Sequence, residues 1–190
     1  MKTKIIFGIL LLINVSFSAQ AREMADVSFA ETVSINGVEQ PLKLNGLGIR
    51  YKFFFKIYIA ALYVTKTSHD AVDIIKSDSP KRMVMHFLYD EIPQEKLVNG
   101  WNEGFEDNLS DAERGVLQAD IKQFNAMFET IKAGEVVTLD YLPAQGTVVT
   151  IKGVQKGVIK GAAFYRALLK IWIGEEPVTE ELKEALLDED

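Results

Sequence analysis

The sequence predicts an α+β fold in which an antiparallel β-sheet carries a layer of helices. Two kinds of pattern indicate this class. Segments rich in β-branched and aromatic residues follow one another along the chain and are joined by turn sequences, as in antiparallel hairpins. Segments with helical periodicity are grouped mainly in the middle and at the end of the chain, whereas a parallel α/β protein would alternate strands with helices.

The first predicted elements are strands. Residues 29–44 alternate apolar and polar side chains around Asn36-Gly37, the strongest short signal for a hairpin. Phe53–Val64 is a long aromatic and β-branched run, so we expect a central strand buried on both faces. The next two elements are predicted to be a short helix, Ser68–Lys76 with Ser68 or Asp70 as its N-cap, and a strand, Arg82–Tyr89.

Two helices are predicted in the middle of the chain. Pro93–Asn108 begins with a proline, which is favoured in the first turn of a helix. Ser110-x-x-Glu113 matches a capping box and opens the second helix. Its apolar residues recur at helical spacing and are expected to face the core. They are Val116, Leu117, Ile121, Phe124, Met127, Phe128 and Ile131.

The last third of the chain returns to strands and ends in helices. Pro143-Ala144-Gln145-Gly146 is a turn sequence between two β-type runs, which predicts another hairpin. The predicted elements are strands over Glu135–Leu142, Thr147–Lys152 and Val154–Ile159, an apolar helix over Gly161–Ile173 ended by Gly174, and a short acidic helix over Thr179–Leu187.

The N-terminus has the pattern of a secretory signal peptide. Lys2 and Lys4 form a basic region, Ile5–Phe17 is apolar, and Ala19-Gln20-Ala21 matches an A-x-A cleavage site. The alternative is a membrane anchor, but the apolar run is short for a span of about 20 residues and ends in small side chains. We therefore expect cleavage after Ala21 and a secreted, periplasmic protein with a single domain over residues 22–190.

Composition narrows the class of protein further. Cleavage would remove two lysines and no acidic residue, which changes the net charge from −6 to −8. This acidic balance argues against nucleic-acid binding, which normally needs a basic surface. The chain has no cysteine, so neither disulfides nor thiol chemistry can operate in an oxidising compartment. No segment after the signal peptide is long and apolar enough to cross a membrane.

No conventional catalytic or cofactor motif is present in the sequence. His69 lies in a polar turn region, and His86 in a predicted strand is more often a packing residue than a metal ligand. The glycines at 46 and 48 lack the context of a phosphate-binding loop, and neither a P-loop nor a nucleophile elbow occurs. The sequence therefore predicts no metal and no cofactor.

An arginine and a tyrosine lie within a largely apolar, strand-rich segment, residues 44–64. Arg50 carries a permanent charge on a planar set of donors suited to a carboxylate, and Tyr58 lies eight residues later. A guanidinium among apolar residues must find a partner or reach water. The simpler alternative is that Arg50 ends a strand and points into solvent.

Three blocks in the same order resemble the secreted bacterial branch of the chalcone isomerase family. They read L-N-G-L-G-I-R followed by F-F-K-I-Y-I-A-A-L-Y-V, then V-V-T-L-D-Y-L-P, then I-K-G-A-A-F-Y-R-A-L-L-K-I-W-I-G-E-E-P. The resemblance covers roughly residues 30–187. It implies an open-faced β-sandwich, with a large antiparallel sheet, helices layered on one face, and a ligand cleft between these parts.

The resemblance also implies roles for particular residues. Plant chalcone isomerases use an arginine and a threonine, whereas the related fatty-acid-binding proteins hold a carboxylate with the matching arginine and a tyrosine. Arg50 matches the shared arginine, and the threonine position falls on Tyr58, which is the choice of the binding proteins. The catalytic tyrosine of the isomerases falls near Pro93, and their lysine aligns with Lys81.

The asparagine of the isomerases falls near Gly100, one residue from Asn99. Loss of the tyrosine hydroxyl would remove stabilisation of a developing oxyanion. Binding of a fatty acid or similar apolar carboxylate by Arg50 and Tyr58 is therefore the first hypothesis, and an intramolecular lyase acting on an enone is the second. If the protein is an isomerase, the same two residues are the catalytic candidates. A non-catalytic envelope protein with a vestigial cleft is the third.

The first hypothesis requires Arg50 and Tyr58 to lie close together. On one straight strand, eight residues would separate Arg50 and Tyr58 by roughly 26 Å, too far for them to share one carboxylate. The chain must therefore reverse between them, near residues 51–55. No glycine or proline there predicts such a turn.

Overall fold

A computed structural model describes residues 21–188, which form eleven strands and five helices. The predicted signal peptide lies outside the described residues, apart from Ala21. The strands are β1 Ala21–Met24, β2 Val27–Ala30, β3 Thr32–Val33, β4 Leu42–Lys52, β5 Phe55–Val64, β6 Lys81–Phe87, β7 Glu91–Ile92, β8 Ile131–Lys132, β9 Val136–Leu142, β10 Gly146–Ile151 and β11 Val154–Ile159. The helices are α1 Ala71–Lys76, α2 Gln94–Asn108, α3 Asp111–Asn125, α4 Ala162–Ile173 and α5 Glu180–Leu187.

Seven of the strands form one antiparallel sheet with the order β11-β10-β9-β6-β5-β4-β3. Two smaller antiparallel pairs, β1-β2 and β7-β8, lie beside it. The helices pack on one face of the large sheet and bury the larger of two hydrophobic clusters there. The smaller cluster lies on the other face, under the N-terminal hairpin. The predicted α+β class and its layered open-faced sandwich are confirmed.

Local sequence signals place most of the boundaries. The side chain of Asp70 accepts hydrogen bonds from the first turn of α1, and Ser110 with Glu113 forms the predicted capping box of α3. Gly174 ends α4 as predicted. Strand β11 has the predicted bounds, and β9 and β10 form the predicted hairpin.

The predicted apolar stripe after Ser110 is wrong at both ends. Helix α3 ends at Asn125, and Ile131 belongs to strand β8. Val116 is 82% exposed, because it lies on the solvent side of the helix, whereas Leu117, the next residue, and Phe124, two turns along, are buried. Periodicity alone did not separate these neighbours, since Val116 and Leu117 are equally apolar.

The segment around Phe53 also differs from its prediction. Strand β5 starts at Phe55, and its residues from Tyr58 onward are buried between β4 and β6, as a central strand requires. Phe53 and Phe54 form the tight turn of the β4–β5 hairpin and are 88% and 81% exposed. The chain therefore reverses direction at the first two residues of the apolar run.

Gly46 and Gly48, which carried no functional signal in the sequence, are explained by packing, since side chains there would collide with helix α5. A side chain on Gly46 would collide with the backbone carbonyls of Ala185 and Leu186, because the end of α5 lies directly on β4. Asn45 fixes this contact by donating from Nδ2 to the carbonyl of Leu186 at 2.8 Å.

Within residues 21–188, no helix is both long and apolar enough to cross a membrane.

Candidate functional site

The β4–β5 hairpin brings the two predicted site residues together. Lys52 pairs with Phe55 across the turn, and Arg50 stands directly opposite Tyr58 in the register of the two strands. The turn at Phe53-Phe54 therefore supplies the reversal that carboxylate binding requires. A register irregularity follows Arg50, where the hairpin extends beyond the last β5–β6 pair, Tyr58 with Phe87.

The guanidinium of Arg50 is held beside Tyr58 without an acidic partner. Its Cζ lies 5.8 Å from the centroid of the Tyr58 ring. The Nε atom is buried and makes no hydrogen bond within the described chain, and none of the ion pairs formed by residues 21–188 includes this arginine. A half-buried cation without a counter-charge is costly to the folded state. It is also ready to pair with an anion that enters from solution.

The hydroxyl of Tyr58 is oriented by a tryptophan from helix α4. The indole Nε1 of Trp172 donates to the Tyr58 oxygen at 2.9 Å. Because an indole N–H can only donate, Tyr58 must accept in this bond, and its own proton remains available for another acceptor. Burial raises the pKa of Tyr58, while the charge of Arg50 and the bond from Trp172 act in the opposite direction. The hydroxyl therefore stays protonated at neutral pH.

These two residues lie in a cleft between the β4–β5 hairpin and helix α2. Its volume is about 360 Å³, within the usual range of small-molecule sites. Just over half of the lining residues are apolar, and Arg50 and Tyr58 lie among them. The apolar lining residues are Phe53, Phe55, Ile57, Phe87, Ile92, Pro93, Leu97, Trp101, Ile171 and Val178, and the charged ones besides Arg50 are Lys52, Glu91, Lys96 and Glu103.

A family model described as chalcone isomerase-like matches residues 21–188, the whole of the described chain. The chain belongs to the chalcone isomerase-like family. Its structure is similar to the crystal structure of a fatty-acid binding protein from Arabidopsis thaliana, with a TM-score of 0.68 and 16% sequence identity, over 89% of this chain and 96% of that chain. At this identity the likeness shows a shared fold. No curated protein sequence matches the chain.

The positions that the sequence resemblance matched to catalytic residues of the plant isomerases do not all lie at the cleft of this member of the chalcone isomerase-like family. Pro93, Asn99 and Gly100 all line the cleft, at the start and the second turn of helix α2. Pro93 has no hydroxyl and Gly100 no side chain. Of the polar groups that the resemblance assigns to isomerases at this wall, the tyrosine hydroxyl is therefore missing, and an amide is present only at Asn99.

Lys81 lies far from the cleft, at the opposite end of strand β6. In the sheet register it pairs with Val64, whereas Tyr58 pairs with Phe87 six residues along the strand. Its Nζ donates to the carbonyls of Ser77 and Ser79 at 2.6 and 2.9 Å. The proposed match of Lys81 to the lysine of the isomerases does not place that amine near Arg50.

Burial of Lys81 should make the stability of the protein depend on pH. Burial lowers the pKa of the Lys81 amine from 10.5 to about 8, and the nearby carboxylate of Asp78 acts in the opposite direction. Between these two pH values the unfolded chain holds a proton that the folded chain has released, so the stability contributed at this site rises with pH. Relative to Lys81→Met, the wild type should gain stability between pH 8 and pH 10.5, by at most about 1.4 kcal/mol per pH unit.

Urea unfolding of the wild type and Lys81→Met at a series of pH values measures this gain. Lys132→Met is the matched control, because the side chain of Lys132 is 63% exposed. Parallel stability curves for the wild type and Lys81→Met would contradict the prediction.

Sequence reasoning missed the two tryptophans of the site. Trp172 orients Tyr58, and Trp101 lines the cleft with its buried Nε1 unpartnered among the described residues. A tryptophan in an apolar helix is a usable signal, because its buried indole N–H normally needs a hydrogen-bond acceptor. Trp172 and Tyr58 are 114 residues apart in sequence, so only the folded structure shows that Tyr58 accepts the hydrogen bond from Trp172.

The two histidines are accounted for by structure. His69 Nδ1 lies 2.7 Å from the carbonyl oxygen of Leu187. His86 is half-buried in β6, and burial lowers its pKa. Among residues 21–188, no group of three or more His, Asp or Glu side chains is arranged to hold a metal ion.

Proposed function

We propose that this protein binds a fatty acid or a similar apolar carboxylate in the cleft beside Arg50 and Tyr58. The observation that carries the proposal is the pairing of an unpartnered guanidinium with an oriented hydroxyl in a cleft that also has many apolar lining residues. Arg50 would supply a charge-assisted bond to the carboxylate, and Tyr58 would donate a second bond with the proton that Trp172 leaves unused. The fold shared with a plant fatty-acid binding protein supports the same function.

The remaining wall suits an alkyl chain. Aromatic and aliphatic side chains from β5, α2 and α4 would surround the tail, and each methylene that leaves water adds about 0.8 kcal/mol of favourable transfer energy. Affinity should therefore rise with chain length until the cleft is full. The carboxylate fixes the orientation, and the tail supplies most of the binding energy.

Isomerase activity is the second candidate. The same cleft could hold an enone with a phenolate near Arg50. Pro93 offers no hydroxyl to support a developing oxyanion, which favours binding over turnover, whereas Asn99 still presents an amide side chain to the cleft. Assay of the purified protein with a chalcone separates the two, since clear turnover would make the protein an enzyme.

We also propose that the protein acts after secretion to the periplasm, because residues 1–21 have the pattern of a signal peptide. N-terminal sequencing of the secreted protein should give Arg22 as the first residue. Material that begins at Met1 would instead support a membrane anchor.

Calorimetry on delipidated protein tests the binding proposal. A series of fatty acids of increasing length should bind, and each acid should bind much more tightly than its methyl ester, because the ester carries no charge for Arg50. Equal affinity for acid and ester would overturn the role of Arg50. Absence of binding by every acid, together with no turnover of chalcone, would favour a vestigial cleft.

A further inference from the structure

The tip of the β4–β5 hairpin exposes an unusual concentration of aromatic side chains. Phe53 and Phe54 are 88% and 81% exposed, and Phe55 and Tyr51 are about half as exposed. They form a connected surface, since the rings of Phe54 and Phe55 are 4.5 Å apart and Phe55 meets the ring of Tyr89 at 5.6 Å. Single exposed apolar residues are common, but a contiguous aromatic patch on a projecting turn indicates an interaction site.

The fold itself does not favour a phenylalanine at this turn. Phe53 has a φ angle of +57°, in the left-handed region that bulky side chains rarely adopt and that glycine adopts easily. Its side chain makes little contact with the protein, because most of its surface is exposed. An aromatic residue in a backbone conformation that suits glycine, with its ring in solvent, therefore points to a role outside the fold.

The charges around the tip have the opposite sign to those of the chain as a whole. Residues 50–56 read R-Y-K-F-F-F-K, with three cations and no acid, in a chain whose net charge is −6. Lys52 and Lys56 flank the three phenylalanines and are exposed. Neither lysine takes part in the ion pairs formed by residues 21–188.

We propose that this tip, residues 51–56, docks on an anionic phospholipid bilayer. Aromatic side chains favour the interface between lipid headgroups and hydrocarbon, and lysines beside them pair with anionic headgroups. The acidic remainder of the protein is repelled by the same surface, so contact is confined to the tip. A second copy of the chain is a poorer occupant, since two tips in contact would bring their lysines together.

The cleft opens at this tip. Lys52, Phe53 and Phe55 line the cleft and also belong to the docking surface, and Tyr89 completes the rim. A fatty acid in a bilayer holds its carboxylate at the headgroup level, so a docked protein would meet the carboxylate before the tail. Docking itself does not rest on the proposed ligand, and it is tested with phospholipid that contains no free fatty acid.

Vesicle co-sedimentation of the chain that begins at Arg22 tests the inference. The probe is vesicles of equal parts phosphatidylglycerol and phosphatidylcholine, compared with vesicles of phosphatidylcholine alone. The wild type should bind the anionic vesicles more tightly, and added salt should weaken that binding. Lys52→Gln with Lys56→Gln should weaken it by about 25-fold, taking about fivefold for each cation near an anionic surface.

The aromatic contribution is measured with a matched pair of double variants. Phe53→Ser with Phe54→Ser should weaken vesicle binding about 100-fold, taking about tenfold for each buried phenylalanine. Val116→Ser with Val154→Ser removes two apolar side chains that are 82% and 59% exposed elsewhere, and it should leave binding unchanged. Phe53→Gly should weaken binding about tenfold while the thermal midpoint stays equal or rises, which separates docking from folding.

Three results would overturn the inference. Failure of the wild type to bind anionic vesicles would do so even if calorimetry showed fatty-acid binding, which leaves the proposed function standing. Equal losses in the Phe53/Phe54 and Val116/Val154 variants would show a non-specific effect. Concentration-dependent dimerisation in sedimentation experiments that disappears with the Phe53/Phe54 change, without vesicle binding, would assign the tip to a second copy.

Discussion

Phe124→Ala should lower the free energy of unfolding by about 3–5 kcal/mol, the usual cost of truncating a fully buried aromatic residue. The ring of Phe124 is completely buried and lies at the centre of an aromatic cluster. Its centroid is 4.7 to 6.3 Å from those of Phe128, Phe164, Trp101 and Phe105. Alanine would leave a cavity that these large, mutually packed rings cannot easily fill.

Val116→Ala on the same helix is the matched control. It also removes apolar atoms and raises helix propensity, but its side chain is mostly in solvent, so stability should change by less than about 0.5 kcal/mol. Urea unfolding followed by circular dichroism measures both variants. A loss below about 1 kcal/mol for Phe124→Ala would mean that α3 does not pack into the core through this residue.

Phe124→Ala should also weaken ligand binding in the cleft. Trp101 forms part of the cleft wall and packs against Phe124 on its other side. A cavity behind Trp101 allows the indole to move, so ligand affinity should fall even though the substituted residue does not touch the cleft. The same unfolding and calorimetric samples therefore report on packing and on binding together.

Much of the fold is encoded locally and was predictable. The capping box at Ser110 and the turn before Gly146 concern neighbouring residues and were predicted correctly, and the N-cap of α1, predicted at Ser68 or Asp70, is Asp70. The turn at Phe53 was not predictable from its residues, because phenylalanine gives no turn signal and adopts a positive φ reluctantly. There the pairing of the long strands β4 and β5 overrides local preference.

The candidate site is less visible in the sequence than the fold. The arrangement of Arg50 beside Tyr58 depends on that same turn, so only the family resemblance indicated it before the structure did. Trp172 comes from a helix 114 residues away from Tyr58, and its hydrogen bond has no local signature. The separation of Lys81 from the cleft likewise follows from the strand register and from no motif.

The second large effect concerns Arg50. Arg50→Ala should weaken binding of a fatty acid by about 2–5 kcal/mol, or roughly 30-fold to several thousand-fold, because it removes one member of a desolvated charge pair. It should leave the free energy of unfolding equal or higher, since the guanidinium has no acidic partner among the described residues and its burial is unfavourable. A loss of binding without a loss of stability would distinguish a ligand-binding residue from a structural one.

Three further variants separate charge, geometry and hydrogen bonding. Arg50→Lys should restore only part of the affinity, because an ammonium cannot reproduce the planar pair of donors. Tyr58→Phe should cost about 0.5–1.5 kcal/mol, or up to about 3 kcal/mol if the lost bond is to a charged oxygen. Lys52→Ala, which removes an exposed cation from the same cleft, is the control and should have a small effect at physiological salt.

The comparison of acids with methyl esters completes the argument. In the wild type the ester should bind much more weakly than the acid, whereas in Arg50→Ala the two should bind equally poorly, because the charge that distinguishes them has gone. If Lys52→Ala instead removed the preference for the acid, the carboxylate would lie at the mouth of the cleft. Retention of the preference in Arg50→Ala would mean that Arg50 does not contact the carboxylate, and the pairing with Tyr58 would then need a structural explanation.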